Sequence, residues 1–234
     1  SSEKKGETLY DSVRTMSSYV DMLIVRHPQL SKNNELMFSK KNTNNLPIIN
    51  AGNNHFEHPT QALLDIFTIF ENITFDDYKV INLGLAGDLK YSRTIHSLIY
   101  IFNILELKVR YYFICNDQFL IEDKDLSFLK EKNIEYSYHN NLIDILPDLD
   151  ILYMTRIQVE RHNENIENNS ELIYLDKLML KKAKNDLIIL HPLPRNNEIN
   201  INVDHDHRAK YFDQVENGVY VRAAIIDFIL NNTK

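Results

Sequence analysis

Residues 188–195 read Ile188-Ile189-Leu190-His191-Pro192-Leu193-Pro194-Arg195. The first three residues are apolar and two of them are β-branched, which is typical of a buried strand. The prolines on either side of Leu193 restrict the backbone of the loop that follows. Binding residues are often placed on such a loop at a strand end, so this stretch predicts a strand that delivers a site.

Four other apolar segments end in the same way, in a loop that carries cationic or amide side chains. They are 21–25, followed by Arg26-His27-Pro28; 48–51, followed by a loop that reaches His58-Pro59-Thr60-Gln61; 80–84, followed by a loop that reaches Arg93-Thr94; and 151–154, followed by Thr155-Arg156-Ile157-Gln158. In open α/β sheets, ligands bind outside the carboxyl ends of the strands. We therefore expect these five loops to form one site.

Helix-like periodicity alternates with these strand-like runs, which indicates parallel βαβ units. Helices are predicted at 9–20, 59–70, 94–102, 123–132, 175–183 and 219–230, with further strands at 109–115, 134–138 and 187–190. We predict an α/β fold in which residues 59–218 form a parallel-sheet, Rossmann-like domain. Residues 1–58 hold too few strands for a complete domain and are predicted to be the remnant of a second α/β domain, on which the C-terminal helix, 219–234, packs.

The composition excludes several classes of protein. The chain has 234 residues, 44% hydrophobic and 25% charged, and its apolar runs are far shorter than the roughly 20 residues of a membrane helix. A formal charge of −7 argues against a nucleic-acid surface and makes the basic loops a local site for a small anion. The single cysteine, Cys115, permits no internal disulfide, so we expect a cytoplasmic protein and leave an upstream targeting sequence open.

Two patterns resemble cofactor sites only superficially. The run Gly84-Leu85-Ala86-Gly87-Asp88 lacks the G-x-G-x-x-G spacing of dinucleotide sites, and a tight strand-to-helix turn explains it better than a nicotinamide-dependent oxidoreductase does. The alternating Asp204-His205-Asp206-His207 is more typical of an exposed loop than of a metal site. We predict no organic cofactor and no metal.

Arginines at two strand ends predict a site for a dicarboxylate. Lys90 and Arg93 lie three residues apart after the glycine turn, and cations at a helix start oppose its dipole unless an anion offsets them. Arg156 follows another strand, and a guanidinium matches a carboxylate with two hydrogen bonds. His58 precedes Pro59 at a predicted helix start, and its residue type leaves two roles open: a cap or packed ring, or a donor that polarises a carbonyl oxygen.

Eight short motifs follow one another along the chain. They are Lys4-Lys5-Gly6-Glu7-Thr8, Val25-Arg26-His27-Pro28, Asn50-Ala51-Gly52, His58-Pro59-Thr60-Gln61, Gly87-Asp88-Leu89-Lys90-Tyr91, Arg93-Thr94-x-His96-Ser97-Leu98, Tyr153-Met154-Thr155-Arg156-x-Gln158 and His191-Pro192-Leu193-Pro194-Arg195. Their order and spacing resemble the catalytic chains of the aspartate carbamoyltransferase family. Ornithine carbamoyltransferases typically have His-Cys-Leu-Pro in place of residues 191–194, so the resemblance favours aspartate.

The resemblance implies that the amine of L-aspartate attacks the carbonyl carbon of carbamoyl phosphate, giving N-carbamoyl-L-aspartate and phosphate in pyrimidine biosynthesis. It implies no cofactor. It implies that Arg26 binds phosphate and takes part in catalysis, that His58 contacts the carbonyl oxygen, and that Gln61 orients the carbamoyl group. The aspartate carboxylates would be bound by Arg93, Arg156 and Gln158. The backbone carbonyl of Leu193, next to carbamoyl phosphate, would position the amine.

The resemblance also predicts shared sites in a homotrimer. Ser1 and Lys5 match a loop that reaches the carbamoyl phosphate of a neighbouring subunit, where Lys5 also serves aspartate binding and catalysis. The family's Ser-Thr-Arg-Thr phosphate-binding motif is absent from the 234 residues. We therefore expect that most of the carbamoyl-phosphate domain is lacking and that this chain is inactive alone. The alternative is a non-catalytic, transferase-like module for assembly or aspartate binding, and regulatory chains stay unknown.

Overall fold

The computed structural model describes residues 6–27, 46–52, 58–75, 79–162 and 173–232. Within these ranges the helices are α1 (Leu9–Met16), α2 (Pro59–Asn72), α3 (Arg93–Ile104), α4 (Asp123–Glu131), α5 (Leu142–Ile145) and α6 (Tyr211–Asn232). The strands are β1 (Leu23–Val25), β2 (Ile48–Asn50), β3 (Ile81–Ala86), β4 (Val109–Ile114), β5 (Tyr136–His139), β6 (Ile151–Met154) and β7 (Ile188–Leu190). Among the described residues, no helix combines the length and the apolar character that a membrane span needs.

Strands β3 to β7 form a parallel sheet in the order β5-β4-β3-β6-β7. The chain runs outward from β3 to β5 and then returns to place β6 on the other side of β3. The strand order thus reverses between β3 and β6, and a crevice forms outside the carboxyl ends of two such strands. The predicted parallel α/β sheet is confirmed, and its switch point lies between the loops that follow β3 and β6.

Apolar clusters cover both faces of this sheet, because alternate residues of a strand point to opposite sides. In β6, Ile151 and Tyr153 belong to the cluster that includes α3, while Leu152 and Met154 belong to the cluster that includes the start of α6. All four side chains are buried. The strand at the switch point is therefore held from both sides, which fixes the start of the loop that follows it.

The N-terminal strands β1 and β2 pair in parallel as a separate two-stranded sheet. Helix α2 then begins at Pro59, as predicted, because a proline at the first helical position lacks only an N–H that would have no helical partner. This helix packs against both α3 and α6. It therefore joins the described N-terminal segments to the five-stranded sheet.

The predicted helix at 175–183 is wrong. The backbone N–H of Leu175 donates to the carbonyl of Glu198 at 2.8 Å, and its own carbonyl accepts from Asn200 at 2.9 Å, so the chain is extended there. Asp176 then accepts from the N–H of Met179 at 2.9 Å and starts a single 3-10 turn. The apolar spacing reflects side chains that pack on the sheet and not the face of an α-helix.

The C-terminal helix begins at Tyr211. The predicted start at residue 219 is therefore too late. The first two turns of the helix bury two polar residues, Gln214 and Asn217, which interrupt the apolar pattern that marks a helix in the sequence. Asn217 donates its amide N–H to the hydroxyl of Thr68 in α2 at 3.1 Å. Polar contacts with α2 thus account for the part of the helix that apolar periodicity does not predict.

Candidate active site

A pocket of about 400 Å³ lies at the carboxyl edge of the sheet, where the loops after β1, β3, β6 and β7 meet the start of α2. It is lined by Arg26, His58, Gln61, Ser92, Arg93, Thr94, Thr155, Arg156, Gln158, Glu160, Arg161, His191, Pro192, Leu193 and Pro194. Seven of the predicted site residues are in this set: Arg26, His58, Gln61, Arg93, Arg156, Gln158 and Leu193. The two others, Ser1 and Lys5, lie outside the described residues.

The loops after β3 and β6 are tied together at the switch point. Gly87 has a φ of 110°, and a Cβ there would lie 2.1 Å from the carbonyl oxygen of Thr155, so only glycine fits. The buried carboxylate of Asp88 accepts from the N–H of Gln158 at 3.0 Å and lies 2.9 Å from Nε2 of His162. The predicted tight turn is thus found at Gly87, whereas Gly84 lies within β3.

Helix α3 begins at Arg93, after Ser92, and Arg93 lines the pocket. Lys90 precedes the helix, is exposed, and lies with its Nζ 5.4 Å from the ring centroid of Tyr91. It is not among the residues that line the pocket. Because helix α3 starts only after Lys90, the condition for Lys90 and Arg93 to share one helix face is not met.

The pocket is strongly cationic. Among the described residues, four arginines line it against one carboxylate, that of Glu160. Burial lowers the pKa of Arg93, and the positive charges of Arg161 and Arg26 lower it further. The guanidinium groups therefore repel one another across the pocket, and a bound anion relieves that repulsion.

Arg156 already holds a carboxylate. Its guanidinium contacts both oxygens of Glu160, with Nη1 at 3.0 Å from Oε2 and Nη2 close to Oε1. The hydrogen bonds to Arg156 lower the pKa of Glu160 to about 2. This two-point contact has the geometry that the sequence predicts for a substrate carboxylate. A substrate carboxylate at Arg156 therefore either displaces Glu160 from the guanidinium or binds beside it.

His58 reaches the pocket as a neutral ring. Burial lowers its pKa to about 4, and the charges of Arg93 and Arg26 are the next causes. Its backbone N–H donates to the hydroxyl of Ser97 at 2.9 Å, and its side chain makes no cap hydrogen bond to α2. Ring atom Nδ1 is buried and has no hydrogen-bond partner among the described residues. A neutral imidazole in this position can donate one N–H to an oxygen that gains negative charge.

The proline loop after β7 is held by His191. Its Nδ1 accepts from the backbone N–H of Leu193 at 2.8 Å, so its Nε2 carries the proton and donates to Glu198 at 2.8 Å. Leu193 adopts a φ of 48°, which is uncommon for a residue with a bulky side chain. The rigidity predicted from the two prolines therefore has a second source in the buried imidazole.

The acidic residues of 204–207 serve local ion pairs. Asp204 binds the guanidinium of Arg195, with Nη2 at 2.7 Å from Oδ2, and accepts from the hydroxyl of Tyr211 at 2.6 Å. Asp206 accepts from Nε of Arg208 at 2.8 Å. These carboxylates hold the segment before α6 in place, and Arg195 is turned away from the pocket lining.

Two functional neighbours were not predicted from the sequence. Asp65 and Gln214 do not line the pocket but contact residues that do: Gln61 donates to Asp65 at 2.8 Å, and Gln214 accepts from the backbone of His191 at 3.0 Å. Asp65 follows Gln61 by four residues, so it shares the helix face of Gln61. The available signal was a row of polar residues, Gln61, Asp65 and Thr68, at helical spacing along α2.

A doubly covered parallel sheet with a cationic pocket at its carboxyl edge, and a neutral histidine in that pocket, is typical of an α/β enzyme that acts on a small anionic substrate. The family models give the particular family. The Aspartate/ornithine carbamoyltransferase, Asp/Orn binding domain matches residues 79–229, and the carbamoyl-P binding domain of the same proteins matches residues 1–71. The chain belongs to the aspartate/ornithine carbamoyltransferase family. The match over 1–71 does not support the expectation that most of the carbamoyl-phosphate domain is lacking.

Relatives and solved structures agree with this assignment. The chain is 43% identical over 231 residues to the aspartate carbamoyltransferase catalytic subunit of Wigglesworthia glossinidia brevipalpis, a match that covers 98% of this chain and 72% of the relative. The catalytic subunit of M. jannaschii aspartate transcarbamoylase superposes with a TM-score of 0.83 at 36% identity, over 97% and 72% of the two chains. Aspartate transcarbamoylase from Trypanosoma cruzi, in complex with carbamoyl phosphate and aspartate, gives a TM-score of 0.77 at 34% identity, over 97% and 70%.

Proposed function

We propose that this chain is the catalytic chain of an aspartate carbamoyltransferase of pyrimidine biosynthesis. In the proposed reaction the amine nitrogen of L-aspartate bonds to the carbonyl carbon of carbamoyl phosphate and the bond from that carbon to the phosphate oxygen breaks. The departing phosphate accepts the amine proton. The observation that carries the proposal is the meeting of His58, Gln61, Arg93, Arg156 and the Leu193 loop in one pocket.

His58 is the proposed donor to the carbonyl oxygen. This oxygen gains negative charge as the tetrahedral intermediate forms, and a donor placed beforehand stabilises it without reorganising. The lowered pKa supports this role, because a neutral ring neither adds a charge to the four arginines nor depends on protonation near pH 7. The proposal assigns no step to a metal or an organic cofactor.

Arg93, Arg156 and Gln158 are the proposed ligands of the aspartate carboxylates. They come from the two strand ends at the switch point, and the Asp88 contacts hold these loops in register. A cationic acceptor such as ornithine would be repelled by the same arginines. The charge of the pocket therefore supports a dicarboxylate amino acid as the acceptor.

Arg26, Ser1 and Lys5 are the proposed phosphate ligands, and the last two are proposed to come from a neighbouring subunit of a homotrimer. Arg26 supports this arrangement because it follows β1 of the separate two-stranded sheet and lines the same pocket as the proposed aspartate ligands. In the trimer each site combines His58 of one chain with Lys5 of the next.

The division of the chain is also part of the proposal. Residues 1–58 with the helix end at 219–234 form the carbamoyl-phosphate side, and residues 59–218 form the aspartate side. The buried thiol of Cys115, which pairs with no second cysteine in the sequence, supports a cytoplasmic location.

A comparison of acceptor substrates tests the proposed function. The complete natural gene product is incubated with carbamoyl phosphate and with L-aspartate, L-ornithine or buffer alone, and phosphate release is measured. We expect release that depends on aspartate and is near the buffer rate with ornithine. Release that follows ornithine would contradict the acceptor assignment, and binding of aspartate without release would favour the non-catalytic module.

A further inference from the structure

A single buried carboxylate, that of Asp65, connects three elements behind the pocket. Asp65 lies in the second turn of α2 and is fully buried. It accepts hydrogen bonds from Nε2 of Gln61 at 2.8 Å, from the hydroxyl of Tyr153 at 2.8 Å and from Nε2 of Gln214. These donors belong to α2, β6 and α6.

The carboxylate fixes which way the amide of Gln61 faces. An ionised carboxylate only accepts hydrogen bonds, so Gln61 must turn its NH₂ group toward Asp65. Burial raises the pKa of Asp65 to about 6, which leaves the group mainly ionised at pH 7. Gln61 lines the pocket, so its carbonyl oxygen is the atom left to accept an N–H there. The carbamoyl group of the proposed substrate carries such an N–H.

A second arm leads from Asp65 to the proline loop. The NH₂ group of Gln214 donates to Asp65, and the carbonyl oxygen of Gln214 accepts from the backbone N–H of His191 at 3.0 Å. The ring of His191 accepts in turn from the backbone of Leu193 at 2.8 Å. Hydrogen bonds through two residues, Gln214 and His191, therefore link the same carboxylate to Leu193, which is proposed to position the aspartate amine.

We propose that Asp65 is a positioning residue that aligns the two reactants: it orients the amide of Gln61 as an acceptor for the carbamoyl N–H, and through Gln214 it holds the backbone of the 191–194 loop. This inference rests on the proposed function. A merely structural Asp65 would join α2 to α6 without any specific effect on either substrate.

The test compares Asp65→Asn with Asp150→Asn in the complete natural gene product. Asparagine keeps the shape but removes the negative charge and leaves one acceptor oxygen in place of two. The charge that draws the NH₂ groups of Gln61 and Gln214 to Oδ1 is then lost, so the Gln61 amide can turn. Asp150 is also a buried carboxylate, and it accepts from the backbone of Asn82 and from Lys184, at the amino end of β6. We expect a fall in kcat/KM for carbamoyl phosphate of about 10-fold to 100-fold in Asp65→Asn and within about 2-fold in Asp150→Asn.

A double substitution separates positioning from structure. In a Gln61→Ala background, Asp65→Asn should lose most of its effect on the carbamoyl phosphate KM, because the residue through which it acts is absent. If the effects of the two substitutions on the carbamoyl phosphate KM multiply in the double variant, the proposed action of Asp65 through Gln61 is overturned. Gln214→Leu removes the link from Asp65 to the loop and keeps both partners of the contact between Gln61 and Asp65, so it should raise the aspartate KM. An unchanged aspartate KM would overturn the loop arm even if Asp65→Asn fails to fold. An inactive parent would contradict the proposed function itself, whereas an active parent with Asp65→Asn equal to Asp150→Asn would contradict only the role of Asp65.

Discussion

At the scale of single residues, the charge state of His58 decides whether it can act as a neutral donor. Its pKa is lowered to about 4, chiefly by burial, so the ring stays neutral when the pH falls from 8 to 6. We expect the ring C–H resonances of His58, assigned with His58→Ala, to shift only below about pH 5 in an NMR titration. A shift centred between pH 6 and 7 would contradict the neutral-donor assignment.

Turnover should depend strongly on that ring. His58→Ala removes one donor to the developing oxyanion, so we expect kcat to fall by about 100-fold to 1,000-fold with a smaller change in the KM values. Steady-state kinetics with both substrates measure this. His205→Ala, an exposed histidine outside the pocket lining, should stay within about 2-fold of the parent. Equal activity of the two variants would remove His58 from the mechanism.

Arg156 should determine aspartate affinity through its two-pronged geometry. Lysine keeps the positive charge but cannot make two parallel hydrogen bonds to a carboxylate. We therefore expect Arg156→Ala and Arg156→Lys both to raise the aspartate KM, by about 10-fold to 100-fold for alanine, with little change in the KM of carbamoyl phosphate. An unchanged aspartate KM in both variants would show that the carboxylate clamp lies elsewhere.

At the scale of elements, the approach of the β3 and β6 loops requires a residue without a Cβ. Gly87→Ala places a methyl group 2.1 Å from the carbonyl oxygen of Thr155 and also strains a positive φ. We expect a loss of more than about 2 kcal/mol in the free energy of unfolding, measured with urea.

The matched control is Gly6→Ala. Gly6 also has a positive φ, of 93°, but a Cβ there meets none of the described residues within 4 Å. This variant should cost only the backbone strain, about 1 kcal/mol. If the two glycine variants unfold at the same urea concentration, the close approach at the switch point is not what Gly87 provides.

Elements with a clean apolar signal were predicted from the sequence, and those built on polar contacts were not. The strand β6 was placed correctly because four buried apolar residues precede a polar loop. The start of α6 was missed because Gln214 and Asn217 are buried there as hydrogen-bonding groups. Residues 175–183 were misassigned because their apolar side chains pack on the sheet from an extended and turned backbone.

The candidate site divides in the same way. Residues within motifs, such as Arg93 and Gln158, were predicted because each motif carries its own signal. The partners that orient them were not, since Asp65 and Gln214 are 149 residues apart in the sequence. The contact of Glu160 with Arg156 was missed for another reason: the two residues are four apart, but the sequence predicts a loop there, and outside a helix that spacing does not indicate a contact.

At the scale of the whole molecule, a trimer with shared sites predicts that two inactive variants restore activity together. One chain would carry Lys5→Ala and the other His58→Ala, and each homogeneous protein should be nearly inactive. Dissociation and reassembly of the mixture should recover part of the parent activity, because some sites then combine an intact Lys5 with an intact His58. The absence of any recovery, with mixed trimers confirmed by mass, would contradict the sharing of sites.

The account depends most directly on formation of one carbon–nitrogen bond in this pocket. The complete natural gene product is incubated with carbamoyl phosphate labelled with ¹³C at the carbonyl carbon and with ¹⁵N-labelled L-aspartate, and the product is followed by NMR. We predict a ¹³C signal split by coupling to ¹⁵N, which marks N-carbamoyl-L-aspartate, and its loss in Arg156→Ala at low aspartate concentration. A ¹³C label recovered without ¹⁵N coupling in the parent protein would contradict the account.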